Sequence, residues 1–147
     1  MLKRHTFWLW LAVVFLFVTA VIHSIGLFIG PVPANETERQ LLELMNYQQD
    51  LGAGYHRSMR NLFTALSSCF SFLCLLGGLT TAFLLKRNAG PGILKGIVGI
   101  HLLVFAGVFV VMVIFTFLPP IVLTGLVVLF LAIGWMTIPK ESVLEMS

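Results

Sequence analysis

The stretch YHRSMRNLFTALSSCFSFLCLLGGLTTAFLL, residues 55–85, places polar side chains within a long apolar run. At about 100° per residue on a helix, these polar and small positions fall within one arc roughly 120° wide. We call this arc the polar face; it holds Arg57, Arg60, Asn61, Thr64, Ser67, Ser68, Ser71 and Gly78. Inside a bilayer, polar groups must face protein or trapped water, because hydrocarbon offers them no partner. We therefore expect the rest of the chain to pack around this face.

The composition indicates a membrane protein. Of the 147 residues, 59% are hydrophobic and only 10% are charged. So few charges could not cover the apolar surface of a water-soluble domain of this size. Nucleic acid is excluded as a partner, because no basic patch with interleaved aromatic residues lies outside the apolar segments.

Four apolar segments are long enough to cross a bilayer as helices. The predicted spans cover residues 7–30, 60–85, 93–118 and 121–138, with Pro119 and Pro120 forming a tight turn between the last two. A signal peptide cleaved after Ala20 is a less favoured alternative for the first, because the apolar run continues to Ile29. The predicted fold class is all-α: one integral membrane four-helix bundle over residues 1–147.

The segment at residues 31–59 is predicted to be an outer loop with a helix of its own. Asn35 and Glu38 have the spacing of a capping box at a helix N-terminus. We expect a short amphipathic helix from about Glu36 to Asp50, lying on the membrane surface or over the end of the bundle. The glycines at 52 and 54 should end it before the second span.

The distribution of Lys and Arg predicts the orientation in the membrane. One side holds Lys3, Arg4, Lys86, Arg87, Lys95 and Lys140, and the other holds only Arg39, Arg57 and Arg60. Cytoplasmic loops carry the excess of basic residues. Both termini are therefore expected in the cytoplasm. The membrane is expected to be the plasma membrane or a bacterial inner membrane.

His23 is the main candidate for a functional residue. It shares a face of the first span with Thr19 and Gly26, at the depth that residues 64–68 reach in the second span. This predicts an outer-leaflet pocket for an anionic or carbonyl-bearing ligand, such as a lipid or quinone head group. Its lining would be His23, Arg60, Asn61, Thr64, Ser67, Ser68 and Ser71. The alternative is that these hydroxyls bond to carbonyls of their own helix and that His23 is a satisfied interhelical histidine.

No cofactor or metal is predicted. His23 and His101 differ in predicted depth by roughly 14 Å at 1.5 Å per residue, which suits neither a shared haem nor a shared zinc. His101 is instead expected to pack or to hydrogen-bond between helices. The five-residue spacing of Cys69 and Cys74 excludes a disulfide within one helix, and both are expected to be buried packing thiols.

The favoured function is a non-enzymatic membrane protein. It would bind a lipid or small amphiphile, or serve as an accessory subunit in a homo-oligomer or a larger membrane complex. One alternative is a membrane enzyme acting on a lipid or quinone, with His23 as acid/base and Arg60 orienting an anionic group. Another is a small oligomeric transporter or channel, since four short spans alone enclose little pore.

Overall fold

The computed structural model describes residues 4–139, and most of them are helical. The elements are α1 (Arg4–Phe28), α2 (Glu36–Asn46), β1 (Gln48–Asp50), β2 (His56–Ser58), α3 (Met59–Lys86), α4 (Pro91–Phe115) and α5 (Leu118–Thr137). Four of these helices, α1, α3, α4 and α5, are long and apolar enough to cross a membrane. This agrees with the predicted all-α bundle with four long apolar helices.

The turn between α4 and α5 differs from the prediction. Helix α5 begins at Leu118, so Pro119 and Pro120 lie in its first turn rather than in the connection. The first turn of a helix tolerates proline, because the missing N–H has no intrahelical partner there. The connection is formed by Thr116 and Phe117, where the Thr116 N–H donates to the Met112 carbonyl at 3.0 Å.

The capping box forms at the start of α2. The Glu38 N–H donates to Asn35 Oδ1 at 2.9 Å, and Glu38 Oε2 accepts from the Ala34 N–H at 2.7 Å. None of the residues of α2 is buried. Its surface carries an Arg39 guanidinium that donates to Glu36 and lowers the pKa of that carboxyl below its usual value. The contribution of this pair is therefore present at neutral pH and lost as pH falls through the lowered pKa.

A β-hairpin follows α2, where the prediction had continued the helix to Asp50. Strands β1 and β2 pair antiparallel with Gln48 opposite Ser58 and Asp50 opposite His56. The reversal occurs at residues 52–54, all of which have φ between +52° and +84°. The Gly52 N–H also donates to Asp50 Oδ1 at 2.8 Å, which closes the turn. Each strand has only three residues and neither carries an apolar alternation, so no periodic signal predicted them.

The chain divides into two compact units whose boundaries fall within α1 and α3. The first unit contains the residues up to Thr19 and those from Cys74 onward. The second unit is Ala20–Leu73. Each is described separately below.

The first unit has an apolar interior built from four helices. The buried apolar side chains are Leu9, Ala12, Val13 and Leu16 of α1, Cys74 of α3, Leu94, Val98 and Phe105 of α4, Val127 and Leu131 of α5, and Ile138 directly after α5. Two glycines allow close contact: Leu9 lies against Gly134, and Phe105 lies against Gly77. Helices α4 and α5 form an antiparallel pair, with Trp135 beside Gly99 at one end and Phe109 beside Gly125 at the other.

His101 makes the interhelical hydrogen bond that was expected of it. Its Nδ1 lies 3.1 Å from Oγ1 of Thr81, a residue of α3 that is fully buried. Both cysteines are free thiols, in agreement with the prediction. Cys74 is buried, but Cys69 is exposed, so the expectation of two buried thiols was wrong for Cys69. The Cys69 thiol instead donates to the Ala65 carbonyl of its own helix at 3.6 Å.

Candidate functional site

The end of α1 and the first half of α3 meet at His23 in the second unit. His23 Nε2 lies 3.1 Å from the backbone carbonyl oxygen of Ser67. A carbonyl only accepts, so Nε2 carries the proton and donates. The ring also meets Phe70 edge to face, with centroids 5.0 Å apart and planes at 88°. These contacts fix the imidazole and leave Nδ1 without a hydrogen-bond partner among residues 4–139. The structure thus brings His23 to the backbone of Ser67, a residue of the polar face.

A second polar contact joins the same two helices. Ser24 Oγ donates to Ser71 Oγ over 3.0 Å, and Ser71 is buried. Ser24 was absent from the sequence-based site because it lies about 100° around α1 from His23. The sequence-based site considered only one narrow face of α1, so it left out Ser24. The serine hydroxyl directly after His23 in sequence could have indicated this second contact.

Some hydroxyls of the predicted site are occupied within their own helix. Ser68 Oγ donates to the Thr64 carbonyl at 2.8 Å. Thr19 Oγ1 donates in the same way to the Phe15 carbonyl at 2.7 Å, and Thr19 belongs to the first unit. Ser68 therefore makes the own-helix hydrogen bond that the packing alternative expected of it.

Arg60 contacts Gly30, two residues beyond the end of α1. Its Nη2 occupies the space that a Cβ at residue 30 would fill, so a larger residue there would displace the guanidinium. The contact of Gly30 with Arg60 and the contact of His23 with Ser67 follow the same antiparallel register. They lie two helical turns, about 10 Å, apart. Gly26, between them on α1, has no other atom within 4 Å of an ideal Cβ position.

Several donors of the site are uncommitted. Within the described chain, the Arg60 guanidinium, the Asn61 amide and the hydroxyls of Thr64 and Ser67 make no hydrogen bond or ion pair. The backbone N–H of Asn61 is bonded at 3.2 Å to the buried Ser58 Oγ, which caps α3. The second unit thus combines fixed polar contacts with a nearby unpaired cation.

The cavities of the first unit do not contain the predicted site. A groove of about 680 Å³ runs along α4, and a smaller cavity of about 270 Å³ lies between Thr6, Leu84 and Asn88. None of the predicted site residues lines either. Between Arg4 and Pro139, no three His, Cys, Asp or Glu side chains come together as metal ligands.

The fold and the site define a helical chain with four helices of membrane-spanning length and a polar contact between two of them. Comparisons with protein-family models, with curated proteins and with solved structures give no match.

Proposed function

We propose that this chain is an integral membrane protein that crosses the bilayer four times with both termini in the cytoplasm. The support is the unequal distribution of Lys and Arg between the two sides. In this orientation, α2 and the β-hairpin lie outside the plasma or bacterial inner membrane. The exposed Leu41 and Leu44 of α2 would then contact the membrane surface.

We propose that the second unit binds the head group of an anionic lipid or a similar amphiphile at His23, Arg60 and Ser67. The observation that carries this proposal is Arg60, which packs against Gly30 and has no carboxylate partner in residues 4–139. An unpaired guanidinium near the bilayer interface matches a phosphate, which it binds through two parallel hydrogen bonds. About 10 Å further along, the Ser67 hydroxyl would donate to an ester carbonyl.

The same site allows a catalytic alternative. The carbonyl of Ser67 holds one nitrogen of His23, and the other nitrogen is without a partner in the described chain. This arrangement is suitable for a general base acting on a bound lipid or quinone. Turnover that is lost in His23→Ala, with the bound lipid retained, would favour the enzyme over a binding protein or an accessory subunit of a larger complex.

The binding proposal is tested by comparing Arg60→Gln with Arg57→Gln. Native mass spectrometry would count phosphatidylglycerol bound to each variant in detergent micelles. Arg60→Gln should weaken one binding event about tenfold, because hydrogen bonds to charged groups contribute roughly 1.5 kcal/mol or more. Arg57→Gln should have no effect, since the Arg57 side chain is exposed and donates to its neighbour His56.

A second matched pair keeps the test valid if Arg60→Gln does not fold. Ser67→Ala removes an uncommitted hydroxyl, whereas Ser68→Ala removes one that already donates within its own helix. Binding should weaken only in Ser67→Ala. Equal binding in both members of each pair would refute the proposed site.

A further inference from the structure

The groove along α4 in the first unit has a glycine floor. Gly92 and Gly96 line it, and an ideal Cβ at Gly96 would have no atom within 4 Å. Exposed Ile100 and Leu103 continue the lining along the same helix. From Gly92 to Leu103 the groove extends about 16 Å, at 1.5 Å per residue. This is the thickness of one leaflet, half of a hydrocarbon core of about 30 Å.

One end of the groove is cationic and pre-formed. Lys95 Nζ lies 5.0 Å from the centre of the Trp135 ring, and the Trp135 indole N–H donates to the Lys95 carbonyl over 3.1 Å. The indole nitrogen would be 3.1 Å from a Cβ at Gly99, so the ring lies directly on that glycine. Lys95 has no carboxylate partner among residues 4–139. The groove therefore joins an unpaired ammonium to an apolar channel.

A second copy of the chain is a poorer occupant than a lipid. A two-fold axis along the membrane normal would place Lys95 at the depth of its own symmetry mate. Lys86 and Arg87, the basic residues that precede Lys95 in the sequence, would add further positive charge to such a dimer. All acidic residues of the described chain lie between Glu36 and Asp50, in the second unit. Within residues 4–139, the dimer would therefore bring together cations with no acidic residue of the first unit to neutralise them, whereas a lipid phosphate neutralises them.

We propose that this groove binds an anionic phospholipid, with the phosphate at Lys95 and one acyl chain along Gly96, Ile100 and Leu103. The site is separate from the one at His23 and Arg60 and does not depend on it. The Trp135 indole, at the same end, would lie at the level of the head group, as aromatic residues do at membrane interfaces.

The test compares phosphatidylglycerol with phosphatidylcholine of the same acyl chains, bound to the full chain in micelles and counted by native mass spectrometry. Lys95→Gln should lower the preference for phosphatidylglycerol about fivefold, the effect of one lysine near an anionic head group. Gly96→Leu should lower binding of both lipids, because its side chain would fill the channel. Neither change should alter the binding event that Arg60→Gln weakens.

Two controls separate the groove from general effects. Lys86→Gln removes an exposed charge that does not line the groove, and Gly107→Leu adds the same side chain to α4 where space is also open. Lys86→Gln should leave the lipid ratio unchanged, and Gly107→Leu should leave the binding of both lipids unchanged. The proposal is overturned if Lys95→Gln and Lys86→Gln behave alike, or if Gly96→Leu converts a dimer into a monomer. The second outcome would identify the groove as a contact between copies of the chain.

Discussion

Phe105→Ala is expected to lower the free energy of unfolding by about 3 kcal/mol, the lower part of the range for Phe→Ala in cores. Phe105 is 2% exposed and the largest of the fully buried side chains. In a membrane, lipid rather than water receives the side chain on unfolding, so the transfer contribution shrinks. The lost packing against Gly77 of α3 remains, and it produces most of the expected cost.

The measurement is unfolding of detergent-solubilised protein by dodecyl sulfate, followed by far-ultraviolet circular dichroism. Phe115→Ala, on the same helix but 77% exposed, should change stability by less than about 0.5 kcal/mol. Gly77→Ala places a methyl 2.8 Å from Phe105 Cε2 and should destabilise the wild-type protein. Combined with Phe105→Ala, that methyl enters the vacated space, so the double variant should lose less than the sum. Additive costs would contradict this packing.

Gly134→Ala is expected to destabilise the chain by about 1–3 kcal/mol, although alanine is the better helix former. An added Cβ would lie 2.5 Å from Leu9 Cδ2 and 2.9 Å from Cγ. Leu9 is fully buried, so it has no open space into which to move. The close contact of α1 and α5 would have to widen.

Gly107→Ala is the matched control for Gly134→Ala. No atom lies within 4 Å of a Cβ at residue 107, so only the helix-propensity gain of up to about 1 kcal/mol remains. The two glycine substitutions should therefore have opposite signs in the same unfolding assay. A neutral or stabilising Gly134→Ala would show that α1 and α5 are not in contact there.

The long helices were predictable because hydrophobic length and span-ending prolines are local signals. The prediction of local structure was wrong where the same residue type is common in two kinds of local structure. Pro119 and Pro120 fit a turn or the first turn of a helix, and only the structure assigns them to α5. The hairpin after α2 depends on left-handed residues at 52–54 rather than on periodicity, so the break was visible but the strand pairing was not.

The site was predictable in part because depth can be counted along two antiparallel helices. Counting residues brought His23 to the level of Ser67, where the structure places it. The hydrogen-bond partner of each hydroxyl could not be predicted by counting residues. Ser68 and Ser71 share one face of α3, but Ser68 donates to a carbonyl of its own helix and Ser71 accepts from Ser24 of α1. The α4 groove was missed because Lys95 and Trp135 are 40 residues apart in sequence and meet only through tertiary packing.

The polar face of α3 turns toward α1 at Ser24 and Ser71, and an engineered disulfide between residues 24 and 71 tests this arrangement. Ser24 and Ser71 have their Oγ atoms 3.0 Å apart, within reach of a bond after replacement of both by cysteine. In a Cys69→Ser, Cys74→Ala background, Ser24→Cys with Ser71→Cys should form an intramolecular disulfide under mild oxidation. Ser24→Cys with Leu66→Cys should not, because Leu66 is 73% exposed. Equal disulfide yields for the two cysteine pairs, or disulfides formed only between molecules, would contradict the packing of the polar face of α3 against α1.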